Sequence, residues 1–179
     1  PLDAFQTIPE VFNLADKYQL PAIILSALLI SDETSTINPE LLDMHPVIDR
    51  GELITEAGDE ADNYERYKFT DSGISPRALP GIPGYEHVVA SDEHMPNGVL
   101  ISDEFTHPHK RRAMMEKRQR KMGGLLEDLP PPVIVGDSNA EVTLVGWGST
   151  AGVIQEAIEQ LATAGVVANH LHFKWIVPF

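Results

Sequence analysis

The hydrophobic and polar positions change rhythm as the chain proceeds. From Ala4 to Tyr18 apolar residues recur at helical spacing, with Phe5, Ile8, Val11, Phe12, Leu14, Ala15 and Tyr18 on one side, which predicts an amphipathic helix. Pro21 closes it, because the residue before a proline avoids the helical region. Ala22 to Ile30 follows as a continuous apolar run without alternation, the pattern of a strand covered on both faces of a parallel sheet. Residues 1–30 therefore read as the closing helix–strand pair of such a sheet. From Ser31 to about residue 100, Asp, Glu, Thr, Ser and Pro dominate and periodicity fades. Within that stretch Tyr64 to Phe69 carries a short strand pattern, and the proline-punctuated run Ile74 to Gly81 is extended. So long a stretch without regular structure reads as a segment crossing between two domains.

Periodicity returns at Thr106 to Leu126, a predicted helix with Met114, Met115, Met122, Leu125 and Leu126 as its apolar stripe and Gly123-Gly124 as an interruption or end. Pro130-Pro131-Pro132 is a stiff spacer, Val133 to Val135 a short strand, and Gly136 to Asn139 a turn. Glu141 to Gly146 then reads as a strand, Trp147-Gly148-Ser149 as a tight turn and Thr150 to Ala164 as a helix. That helix sets Val153, Ile154, Ala157, Ile158, Leu161 and Ala162 against Gln155, Glu156, Glu159 and Gln160 on the other face. Gly165 ends it, and Val166 to Phe173 is a second strand. This is a βαβ unit with a Gly-rich first turn, a common frame for a ligand at the end of a parallel sheet. No internal repeat is visible.

Charge narrows the partners. The 179 residues carry a formal net charge of −14, which argues against nucleic acid or an anionic membrane surface as a general partner. Seven of the thirteen basic residues nevertheless sit on one predicted helix: Lys110, Arg111, Arg112, Lys117, Arg118, Arg120 and Lys121. The absence of cysteine excludes disulfides, thiol catalysis and cysteine-ligated clusters within this chain. No signal peptide opens the chain. Its longest apolar stretch, Leu20 to Ile30, is well short of the roughly 20 residues that span a bilayer. A cytoplasmic setting is the expectation. The start at Pro1 and the stop at Phe179, just after a buried-looking strand, read as a piece of a longer polypeptide.

Several groups are candidates for chemistry. Gly146-Trp147-Gly148-Ser149-Thr150-Ala151 fits G-x-G-x-x-A between strand and helix, a frame for an anion at a helix start. The bulk of Trp147 and the lack of an acidic residue ending the second strand favour a structural turn capped by Ser149 or Thr150. His170 and His172 share one strand face, as a metal pair or as packing histidines. His107 and His109 read as helix-entry residues. Glu86-His87 and Asp92-Glu93-His94 read as a solvated polar loop or a hard-cation site. The basic helix could grip phosphate or pair with carboxylates of this chain or of a partner subunit. Arg77, held between prolines, is the best single anchor for a substrate or other anion, with a structural salt bridge as its alternative. No nucleophile–base pair, phosphate-binding loop or metal triad is recognisable.

Taken together, several stretches resemble a known family. They are Ala4-Phe5 through Val11 to Pro21, Tyr67 to Gly81, Ser91 to His94, the Lys117 to Lys121 helix, Gly146 to Thr150 and His170 to Phe173. Over nearly the whole chain the sequence is similar to the α subunit of 2-oxoacid:ferredoxin oxidoreductases, in its C-terminal part and closest to the 2-oxoglutarate type. The resemblance implies decarboxylation of a 2-oxoacid to an acyl-CoA, with electrons passing to ferredoxin. It implies thiamine diphosphate with magnesium and iron–sulfur clusters in the whole enzyme, bound mainly outside this segment. It also implies a β subunit as partner in a hetero-oligomer, with coenzyme A as co-substrate. The implied fold is α/β: residues 1–45 end a pyrimidine-side thiamine-diphosphate-binding domain and residues 46–130 connect. Residues 131–179 open a three-layer α/β/α domain like the C-terminal domain of transketolase. The family's cofactor glutamate and substrate-contacting threonine and arginine fall in motifs upstream of Pro1, so no catalytic or cofactor-binding residue is carried onto this chain. Ala27 departs from the acidic residue expected after Leu25-Ser26. Two other readings stand beside this one: a nucleotide-binding module built on Gly146 to Ala151, and a transketolase-like or branched-chain 2-oxoacid dehydrogenase subunit.

Overall fold

The computed structural model describes residues 1–101 and 107–178, so Thr106, the first residue of the predicted basic helix, and Phe179 lie outside the described residues. The chain forms two compact units.

One unit comprises residues 7–22 and 44–125. It takes in most of α1 (Leu2–Tyr18), which buries Val11 and Tyr18 and carries Pro9 inside it. The other members of the predicted apolar side are less covered, and Phe12 is largely exposed. Strand β1 (Leu53–Ile54) pairs in parallel with β2 (Arg77–Ala78), so the predicted extended run from Ile74 to Gly81 forms a strand at its centre and ends in a turn at Pro80-Gly81. Tyr64 to Phe69 is a turn, not a strand. Lys68 N–H is spent on Glu65 O at 3.0 Å, and the Tyr64 hydroxyl reaches Pro76 O at 2.9 Å.

Helix α3 (Pro108–Asp128) passes straight through Gly123-Gly124. Each glycine costs about 1 kcal/mol in a helix interior relative to alanine, but Gly124 lets the helix approach Tyr18. The Tyr18 hydroxyl donates to Gly124 O at 2.8 Å, and a Cβ at Gly124 would sit 3.3 Å from the Tyr18 ring. The face that α3 buries differs from the predicted methionine stripe. Met114, Lys117, Lys121 and Leu125 go inside, whereas Met115 and Leu126 are exposed.

The other unit comprises residues 1–6, 23–43 and 126–178. Here the predicted strand at Ala22 to Ile30 does not form. Leu28–Asp32 is a short helix, α2, and Ile23 is 85% exposed, with Leu25, Leu28 and Leu29 also open. A strand needs a neighbour to take its ladder hydrogen bonds. Among the described residues none lies alongside, and local bonds such as Ser31 N–H to Ala27 O at 3.1 Å take over.

A three-stranded sheet of order β3-β5-β4 organises this unit, with β3 at Val133–Gly136, β4 at Val142–Trp147 and β5 at Ala168–Phe173. The β4 and β5 strands are parallel, joined by α4 (Thr150–Thr163), as the βαβ pattern requires; β3 pairs antiparallel with β5. Ile154, Ala157, Ile158 and Leu161 of α4 are half-buried, but Val153 and Ala162 of the predicted apolar face are exposed. Gly146 makes the close approach possible: a Cβ there would press on the Ile154 side chain and lie 2.7 Å from Thr150 Oγ1.

A sharp backbone constraint lies in the first unit, beside the α3 face. Gly73 has φ +79°, and a Cβ there would collide with the Lys117 carbonyl. Gly73→Ala is expected to destabilise this unit by roughly 2 kcal/mol or more, combining left-handed strain with the clash. Urea unfolding followed by circular dichroism measures it.

Candidate functional site

Charge burial marks the α3 face. Positions 114, 117, 121 and 125 are spaced three and four apart and so fall on one side of a helix. Two of those four are lysines. Lys117 is 5% exposed and Lys121 is 9% exposed, although lysine is almost never this deeply buried without a partner. Lys117 Nζ donates to Ser75 Oγ at 2.6 Å, and Ser75 Oγ passes the chain on to Lys68 O at 2.8 Å. Lys121 Nζ donates to the backbone carbonyl of Gln19 at 3.0 Å, while the Gln19 side chain donates to Ser75 O at 2.6 Å. No carboxylate of the described residues lies in ion-pair range of either ammonium. Burial first, then the charges of Lys121, Arg66, Arg118 and Arg120, pull the Lys117 ammonium down to about 8. Burial and the neighbouring arginines lower Lys121 in the same direction.

Arg77 follows closely after Ser75 in the chain. Its Nη1 donates to Asp16 Oδ1 at 3.2 Å, and Arg50 Nε holds the other Asp16 oxygen at 2.8 Å. The hydrogen bond from Arg50, together with Arg77, keeps the Asp16 carboxyl below its usual range. An anion at Arg77 would have to compete with Asp16. Farther along, Arg118 grips the buried Glu93 with both nitrogens, at 3.1 and 2.8 Å. His94 is buried beside it, stacked on Tyr67 at 3.7 Å, with Nδ1 on Met95 O. The Asp92-Glu93-His94 stretch thus supplies a tie to α3. His87 packs edge-on against Tyr64, and His107 and His109 against each other. No group of three or more His, Asp or Glu gathers for a metal among the described residues. With no cysteine either, these residues do not fit the iron–sulfur groups that the resemblance implies.

At the Gly-rich turn Gly148 adopts φ +56°, with open space where a Cβ would point. Neither caps the helix as expected: Thr150 Oγ1 donates to Trp147 O at 2.6 Å, tying the turn, and Ser149 makes no side-chain cap. His170 and His172 do share the α4 face of β5, with ring centroids 5.1 Å apart. His170 Nε2 and His172 Nδ1 are buried without hydrogen-bond partners. Burial, then the adjacent His172, lowers His170 below its ordinary value of 6.5. The predicted site residues are therefore spread over two units. The buried lysines depart from the expectation that the basic helix pairs with carboxylates or phosphate, since they meet Ser75 Oγ and Gln19 O instead, although their spacing with Met114 and Leu125 is visible in the sequence.

No family model matches the chain. Individual relatives do. The chain is 36% identical to the α subunit of 2-oxoacid:ferredoxin oxidoreductase 2 from Aeropyrum pernix, over 99% of this chain and 27% of that protein. It is 30% identical to the 2-oxoglutarate oxidoreductase subunit KorA of Mycobacterium tuberculosis, over 100% of this chain and 26% of that one. Its structure is similar to a 2-oxoglutarate:ferredoxin oxidoreductase from Magnetococcus marinus solved with 2-oxoglutarate, coenzyme A and succinyl-CoA bound. The TM-score is 0.72 at 30% identity, over 93% of this chain and 28% of that chain.

Both buried bases give pH signatures with the same sign. Lys117 is depressed from 10.5 to about 8, so the folded state releases its proton earlier than the unfolded state. Stability of that unit should rise as pH increases from about 8 toward 10.5 and be lost on the way back. Lys117→Met should flatten this rise and stabilise the fold at pH 7 by on the order of 1 kcal/mol. His170 is also depressed, so the β-sheet unit should lose stability as pH falls below about 6.5. Hydrogen exchange across pH 5 to 10, resolved by peptide, reads both units separately.

Proposed function

We propose a subunit role for this chain, which belongs to the family of 2-oxoacid:ferredoxin oxidoreductase α subunits and spans about a quarter of the length of the relatives it matches. In this reading it is the C-terminal part of an α subunit of an enzyme that converts a 2-oxoacid, 2-oxoglutarate by preference, into an acyl-CoA. The electrons leave to ferredoxin. One observation carries the reading: identity and backbone similarity to a 2-oxoglutarate:ferredoxin oxidoreductase run together over 93% of the chain.

Within that enzyme the chain acts as scaffold. Several of its cationic side chains are spent within the chain: Lys117 on the Ser75 hydroxyl, Lys121 on Gln19 O, Arg77 on Asp16 and Arg118 on Glu93. Residues 1–45 close the pyrimidine-side domain, residues 46–130 connect, and residues 131–179 open the transketolase-C-like domain. Thiamine diphosphate, its magnesium and the clusters belong to the rest of the enzyme, with a β subunit as the partner and a cytoplasmic setting. The Gly146 to Thr150 turn serves the close packing of α4 on β4, a use that Gly146 and the Thr150 hydroxyl both support.

Activity measurements separate this from the alternatives. The 179-residue chain alone should show no 2-oxoglutarate-dependent reduction of a viologen dye. The full α subunit assembled with its β subunit should reduce the dye with coenzyme A present. Turnover by the chain alone, or an assembled complex that oxidises NADH-linked substrates instead, contradicts the reading.

A further inference from the structure

The cations gathered on α3 outnumber the acids that meet them. The segment from Arg66 to Ser75 is laid across Lys117, Arg118, Arg120 and Lys121. Gly73 rests on the helix, where a Cβ would lie 3.2 Å from both the Arg120 Cβ and the Lys121 Cγ. Ser75 Oγ relays the Lys117 contact to Lys68 O, and Arg120 Nη2 donates to Thr70 O at 3.2 Å. At the other end Tyr67 stacks on His94, whose Nε2 stands 3.4 Å from Arg118 Nη2. The same Tyr67 ring carries the Arg66 guanidinium 5.1 Å from its centroid.

Among the described residues Glu93, held by Arg118, is the one carboxylate in ion-pair range of this group. Arg66 is half-buried, yet among those residues it has the Tyr67 ring and neither a hydrogen bond nor an ion pair. A guanidinium has five N–H donors, and arginine is rarely covered without a partner. Arg66 and Arg120 both act on the Lys117 ammonium, so the two guanidinium groups bear on one place. In a chain of formal net charge −14 this surplus of positive charge is local.

We propose that Arg66 and Arg120, beside the Gly73–Ser75 bend, form an oxyanion site that takes the phosphoryl group of a small molecule. A lone carboxylate would offset one charge and satisfy one guanidinium fork. A phosphoryl group carries up to about two negative charges on three acceptor oxygens, enough to meet both arginines. Lys117 and Lys121 are already hydrogen-bonded and add their field, which burial leaves little screened. The site goes beyond the scaffold reading and uses side chains of this unit alone.

Calorimetric titration of the full α subunit with inorganic phosphate and pyrophosphate, at constant ionic strength and without β subunit, tests it. Saturable binding that chloride does not reproduce is the expected result. Arg66→Gln and Arg120→Gln should each weaken it at least tenfold, whereas Arg112→Gln, nearer the start of α3, should leave it unchanged. Arg66→Lys keeps the charge without the fork and should retain part of the affinity, with circular dichroism checking the fold of every variant. No saturable binding, or equal binding by Arg66→Gln and the parent, overturns the proposal. So does phosphate binding that vanishes once β subunit is added, because a partner's carboxylates would then hold the arginines. Any of these failures leaves the family reading intact, since that reading is decided by 2-oxoglutarate turnover.

Discussion

A lysine ammonium buried without a carboxylate is expensive, and one whole unit of this protein is arranged around it. Lys117 emerges from α3 into the Gly73-Ile74-Ser75 bend, where among the described residues the Ser75 hydroxyl is its one hydrogen-bond partner. The bend is fixed from every side that the described residues show. Gly73 lies against the Lys117 carbonyl, Thr70 holds Ile74 O, and Gln19 at the end of α1 holds Ser75 O. Lys121, one turn later, returns a hydrogen bond to Gln19. The α1 end, the bend and α3 are thus joined through one polar node, and any shift of α3 along its axis would leave a buried charge or carbonyl unmet. Desolvation of that kind costs more than the hydrogen bonds return. The node therefore contributes more to a single arrangement of these segments than to total stability.

The same arrangement sets the position of Arg77. Two residues after Ser75 the chain enters β2, and Arg77 swings to Asp16 on α1, where Arg50 is already bound. The extended Ile74 to Gly81 run has the sequence of a preorganised loop for an anion, yet it is a strap across the end of α1. In the other unit glycine has the equivalent role. Gly146 lets Ile154 and Thr150 close down on β4.

Much of this is legible in the sequence, and the departures have identifiable causes. The βαβ unit is readable from Glu141 to Phe173 because its periodicity, its Gly165 stop and its turn glycines agree with one another. The α1 helix is readable for the same reason. Ala22 to Ile30 misleads because an apolar run specifies a strand only when another strand is there to pair with it. Gly123-Gly124 misleads because Tyr18, over a hundred residues away in sequence, turns the two glycines from a break into a contact. Lys117 and Lys121 mislead because a basic run in an acidic chain is expected to meet carboxylates, whereas these two are buried on the Ser75 hydroxyl and Gln19 O. A helical projection puts them squarely between Met114 and Leu125. The family resemblance is carried by stretches such as Tyr67 to Gly81 and Ser91 to His94, whose side chains hold the α3 node in place.

The proposed scaffold role predicts that this chain can stand in for the matching segment of a related 2-oxoacid:ferredoxin oxidoreductase α subunit. Interchangeability is measurable by grafting its 179 residues in place of the matching segment of the Magnetococcus marinus enzyme. The quantity to read is 2-oxoglutarate-dependent ferredoxin reduction by the assembled chimaera. The expected result is a complex of native size whose rate stays within about tenfold of the parent, a barrier change of no more than about 1.4 kcal/mol. A chimaera that assembles to native size yet has lost 2-oxoglutarate turnover altogether would contradict the scaffold role.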